Sequence, residues 1–130
     1  MAKNDSPLER VEQARFVGWL ESQGLLFSAT AQSTYTTSWN QKRLNHATGL
    51  RKGVPDMLVI IPPERDERGL GCVLFIEMKR QKGGVVSKEQ KEWIRELDMI
   101  DNVGAFVCRG ADSAIETVST FLKDPDNSPF

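Results

Sequence analysis

The chain has 130 residues, 39% hydrophobic and 27% charged, and 17 Lys+Arg against 18 Asp+Glu leave a formal net charge of -1. That is material for one domain with a single core; it leaves no room for two, and it is too balanced for a disordered or collagen-like chain. The longest unbroken apolar run, Met57 to Ile61, is far short of the roughly 20 residues of a membrane span, and the start MAKNDSPLER carries no apolar signal region, so a cytoplasmic protein with no membrane partner is expected.

In chain order, Ser6-Pro7-Leu8-Glu9 reads as a helix start, with Ser6 as N-cap, Pro7 at the first helical position and Glu9 closing a capping box. The helix is predicted over 6–23 with Gly24 as its cap, followed by a strand over 25–30. Residues 31–53 form a long polar and basic loop punctuated by Tyr35 and Trp39, with a short helix around Gln41 to Ala47; connections of this length are often functional. The β-branched runs at 56–61 and 72–79, joined by the turn PPERDERGLG, predict a hairpin. Ser87-Lys88-Glu89-Gln90 repeats the capping-box pattern and opens a helix over 87–101, with Ile94, Leu97 and Asp101 at helical spacing. A strand over 103–109, a helix over 111–122 and a frayed tail follow. The order predicts a single α/β domain spanning 1–130, with a small mixed sheet, the hairpin at its centre and helices at its flanks. Cys72 and Cys108 both fall in apolar strand runs and read as buried thiols.

Charge is concentrated. Residues 28–53 hold Lys42, Arg43, Arg51 and Lys52 without an acid, and residues 79–88 hold Lys79, Arg80, Lys82 and Lys88 without one. Two such segments permit a phosphate-binding face on a near-neutral protein, although solvated lysines on loops give the same pattern. His46, the only histidine, reads as a surface residue.

The acidic residues are less easily placed. Folding the hairpin about Asp66/Glu67 sets Asp56 across from Glu77, and alternation puts Lys79 on the same face as Glu77. Two carboxylates directly opposite repel, and charges amid VLFI and LVII are costly to desolvate. A divalent cation resolves both costs, since hard cations take oxygen ligands; a plain Glu77–Lys79 pair at a strand end is the competing account. On the first helix, at about 100° per residue, Glu12 lies near the centre of the apolar sector of Phe16, Trp19 and Leu20. Glu9 already has the capping-box position, so Glu12 is the better third carboxylate, with Glu9 as the alternative.

Gly53-Val54-Pro55-Asp56, then Glu77-Met78-Lys79-Arg80, a Gly83-Gly84 turn and Ser87-x-x-Gln90 before a helix resemble the VRR-Nuc branch of the PD-(D/E)XK nuclease superfamily, over Glu12 to about Arg109. The resemblance implies a restriction-endonuclease-like core and a site formed by an acid on the first helix, Asp56, Glu77, Lys79 and Gln90, with Mg²⁺ or Mn²⁺ as cofactor and phosphodiester hydrolysis as reaction. Stand-alone members of the branch are similar in size, and some act as dimers on branched DNA such as Holliday junctions, which implies a homodimer here.

The residue types suit that chemistry. Asp56, Glu77 and Glu12 would be metal ligands together with the Met78 carbonyl, and Lys79 would orient the attacking water or stabilise charge on the phosphate. Gln90 is explained by the capping box alone, yet it also lies on the Ile94/Leu97 side of its helix. Arg43, Arg51, Lys52, Arg80, Lys82 and Ser87 are candidate DNA contacts. Tyr35 and Trp39 would stack on unpaired bases, or else pin the loop to the core or to a second subunit. The expected function is a metal-dependent, structure-selective DNA endonuclease; the rivals are a non-catalytic nucleic-acid-binding or assembly module and a hydrolase of small phosphate esters, the last disfavoured by the lack of a Gly-rich phosphate cradle.

Overall fold

The computed structural model describes residues 8–30 and 38–125. They form α1 (Glu9–Gln23), β1 (Leu26–Ala29), α2 (Trp39–Ala47), β2 (Met57–Ile61), a 3₁₀ turn at Pro63–Arg65, β3 (Cys72–Lys79), α3 (Lys88–Asp98), β4 (Val103–Arg109) and α4 (Ala111–Ser119). The strands make one mixed sheet in the order β1-β2-β3-β4, antiparallel except for the parallel β3–β4 pair. The α/β class and the central hairpin match the sequence expectation.

Alternation along the hairpin builds the core. Met57 lies opposite Ile76 and Val59 opposite Leu74, so one side of the sheet carries Met57, Val59, Ile61, Leu74, Ile76 and Met78. All six are at most 1% exposed, and each such side chain contributes roughly 1.5–3 kcal/mol by burial. Phe16, Trp19 and Leu20 of α1 and Ala111, Ala114 and Val118 of α4 complete this cluster, with α1 and α4 packed on each other and on β3. Cys72 and Cys108 are buried free thiols, as expected.

Several boundaries differ from the predicted ones. α1 begins at Glu9 with Leu8 as N-cap and no side-chain cap, so Glu9 occupies the first helical position and not the closing position of a capping box. Ser6 and Pro7 lie outside the described residues. α3 stops at Asp98 because the chain must turn into β4, which it does with Asn102 at φ 62°. α4 stops at Ser119, and Leu122 bridges back to Asp66 in the hairpin turn.

Among the described residues, the connection before β2 contains the helix α2. Ser38 Oγ accepts the Gln41 N–H at 3.2 Å, no Gly or Pro interrupts 39–47, and Gln41 donates to Asn45 one turn on. None of its residues is buried; Trp39 is 76% and Leu44 56% exposed, so neither pins α2 to the core. Tyr35 lies outside the described residues. Among the described residues no helix is long and apolar enough to cross a membrane.

Candidate active site

The site forms where the hairpin ladder runs out. Met57 opposite Ile76 is the last pair, and one step further puts Asp56 across from Glu77, as the fold about Asp66/Glu67 predicts. One step beyond, Met78 would meet Pro55, which has no N–H to continue the ladder. The Pro55 carbonyl is taken by the Thr30 hydroxyl, and the Asp56 carbonyl by the Thr30 N–H at 2.9 Å. Asp56 Oδ2 fills the gap by accepting the Met78 N–H at 2.8 Å. The approach to Asp56 requires Gly53: its φ is +93°, and a Cβ there would stand 2.5 Å from the backbone of Glu89 on α3.

Glu77 is held by two donors on one oxygen. Lys79 Nζ lies 3.2 Å and Gln90 Nε2 2.9 Å from Glu77 Oε2, and Glu77 and Lys79 are 1% and 7% exposed. Gln90 serves both readings offered for it, because its Oε1 accepts the Ser87 N–H at 2.8 Å while its N–H₂ reaches Glu77. Glu77 Oε1 is buried with no hydrogen-bond partner among the described residues.

The third carboxylate is Glu9. Carboxylate oxygens of Glu9, Asp56 and Glu77 lie within 4.8 Å of one another. Glu12 is fully buried, as its helical position predicts, yet it is engaged elsewhere: Arg15, Gln81 and the Ala111 N–H all donate to it at 2.9–3.1 Å. The geometry therefore corrects the preference for Glu12. Within the first turn of α1, Glu12 meets the start of α4 while Glu9, at the first helical position, reaches the end of the hairpin.

Electrostatics set the cluster apart from Glu12. Burial, then the nearby Asp56, pushes Glu77 up to about 7 against the pull of Lys79. Burial also raises Asp56, opposed by the Met78 N–H, and burial followed by Asp56 raises Glu9. For Glu12 burial is outweighed by the bonds from Gln81, Ala111 and Arg15, and its carboxyl sits below the ordinary range. Three carboxylates with oxygens within 4.8 Å of one another favour a proton or a cation between them. All three donors are hard oxygens, and the unpartnered Glu77 Oε1 is an atom that a cation would satisfy.

The basic candidates fall in two segments of the chain. Arg43, Arg51 and Lys52 are exposed on α2 and the segment after it, where Arg43 bonds Asn40 and Arg51 bonds the His46 and Leu50 carbonyls. Half-buried Arg80, exposed Lys82 and the N-cap Ser87 occupy the link from β3 to α3. Arg109, absent from the sequence argument, clamps that link by donating to the Gly83 carbonyl at 2.6 Å. Gln81 was likewise missed, and nothing local in the sequence marks it. A cleft of about 420 Å³ between Arg51, Lys52 and α3 is walled by Glu89, Glu92 and Glu96, so it is not a phosphate cradle.

Comparisons with known proteins bear on the fold and the family. A solved structure described as a VRR_NUC domain protein superposes with a TM-score of 0.68 over 96% of this chain and 94% of its own, at 18% identity. No curated protein matches the sequence. The VRR-NUC domain family matches residues 2–112, most of the chain, and the protein belongs to that family, with its nuclease-type fold.

Proposed function

We propose that the protein is a metal-dependent endonuclease that hydrolyses phosphodiester bonds in DNA, with Asp56, Glu77 and Glu9 as ligands of Mg²⁺ or Mn²⁺ and the Met78 carbonyl completing the set. The observation that carries this reading is Glu77: both donors sit on Oε2, Oε1 is buried and unpartnered, and a carboxylate oxygen of Glu77 lies within 4.8 Å of two further carboxylates. When bound, the cation would neutralise charge on the phosphate and lower the pKa of an attacking water. Lys79, anchored 3.2 Å from Glu77 and almost fully buried, is suited to orient that water in line with the leaving oxygen and to compensate charge on the phosphate. Gln90 fixes the rotation of Glu77 and anchors α3 at the site.

The preferred substrate in this reading is branched DNA cut by a homodimer. Its support is the α2 arm, which presents Trp39 and Leu44 to solvent beside Arg43, Arg51 and Lys52; exposed aromatics of this kind stack on unpaired bases or fill a subunit interface. Incubation with single-stranded, duplex, flap and four-way-junction DNA, with and without Mg²⁺, is the test, with light scattering in parallel. Mg²⁺-dependent nicking of the junction by a particle near twice 14.6 kDa is expected. Absence of cleavage on every substrate would leave a binding module in its place.

A further inference from the structure

Resting on that metal-site reading, Glu12 acquires a function distinct from ligation. It sits one helical turn from Glu9 and is fully buried, yet none of its bonds points at the carboxylate cluster. Its Oε2 accepts Gln81 Nε2 at 3.1 Å and the Ala111 N–H at 3.0 Å, and its Oε1 accepts Arg15 at 2.9 Å. Gln81 lies two residues past Lys79, and the Gly110 N–H donates to the Lys79 carbonyl at 2.9 Å. One buried carboxylate thus joins the first turns of α1, the exit of β3 and the start of α4. The junction is tight: Gly110 has φ +98°, and a Cβ there would stand 2.4 Å from Glu12 Oε2. A carboxylate at a helix amino terminus is held by its N–H groups and dipole, which makes α4 a firm anchor.

We propose that Glu12 is a positioning residue which, through Gln81 and the amino terminus of α4, sets the reach of Glu9 toward Asp56 and Glu77 and so tunes cation affinity without being a ligand. Gln81 is the gentler point of attack, since its side chain is exposed and its loss breaks the bond to Glu12. Residues supporting a metal ligand typically change affinity by 10–100-fold, so Mn²⁺ affinity measured by calorimetry should fall by roughly tenfold in Glu12→Gln and by less in Gln81→Ala, with circular dichroism unchanged. In a Glu9→Gln background neither change should weaken Mn²⁺ further, because the route runs through Glu9.

Equal losses in both backgrounds, or native Mn²⁺ affinity in both variants, would overturn the inference while leaving the site reading intact. If Glu12→Gln fails to fold, Gln81→Ala carries the same cycle. No Mn²⁺ binding by the unaltered protein would remove the site reading itself, and this inference with it.

Discussion

α1 and α2 are built on opposite terms. α1 buries Phe16, Trp19, Leu20 and even a carboxylate, whereas no residue of α2 is buried. The first is a wall whose changes are felt as stability or geometry; the second is a surface whose changes are felt by whatever touches it. Asp56, Glu77 and Lys79 belong to neither helix; there charge was placed at a cost in burial. A residue's side of this division therefore forecasts which measurement its mutation moves.

The sharpest separation is expected in the middle. Glu77→Gln or Asp56→Asn should lower cleavage by about 1000-fold while the melting temperature holds or rises, because each relieves carboxylate repulsion and keeps the bonds to Lys79, Gln90 or Met78. Native turnover in either variant would remove the metal-site assignment. Lys79→Ala should cost roughly 100-fold in turnover yet keep Mn²⁺ affinity, since a cation is no metal ligand; calorimetry showing a loss like that of Asp56→Asn would contradict its role. On the α1 side, Gly110→Ala should destabilise by about 2–4 kcal/mol in denaturant unfolding, through strain at positive φ and collision with Glu12. On the α2 side, Arg51→Ala/Lys52→Ala should weaken DNA binding roughly tenfold and flatten the salt slope by about one unit per lost contact, with unfolding unaltered. A lowered melting temperature in that double variant would break the division itself.

The smallest effect is a pH dependence. Glu77 is raised to about 7 from an ordinary value of 4.5, so between these limits the folded chain keeps a proton that the unfolded chain has released. Stability in EDTA should consequently fall as pH rises through this window, and Glu77→Gln should flatten the slope in thermal melts. An unchanged slope would assign the proton elsewhere.

Much of this organisation was legible in the residues. β-branched apolar runs located β3 and β4 at their observed bounds, and a symmetric fold about Asp66/Glu67 put Asp56 opposite Glu77. What escaped was long-range. Helical angles showed Glu12 pointing inward but not that the start of α4, 99 residues later, was what it would meet. The same blindness hid Gln81, whose partner lies on α1, and Arg109, whose partners lie in the link after β3. Glu9 was passed over because a local capping role accounted for it, and α1 in fact begins one residue after Leu8.

The two-ended use of Gln90 bears on which letters this position tolerates. A capping box accepts Glu as readily as Gln, since either supplies an oxygen to the Ser87 N–H. Only the amide also offers a hydrogen to Glu77; a carboxylate would add a fourth negative group to the cluster. Helix propensity alone would let the two interchange over generations, so the chemistry next door acts as a filter on a substitution that secondary structure regards as silent.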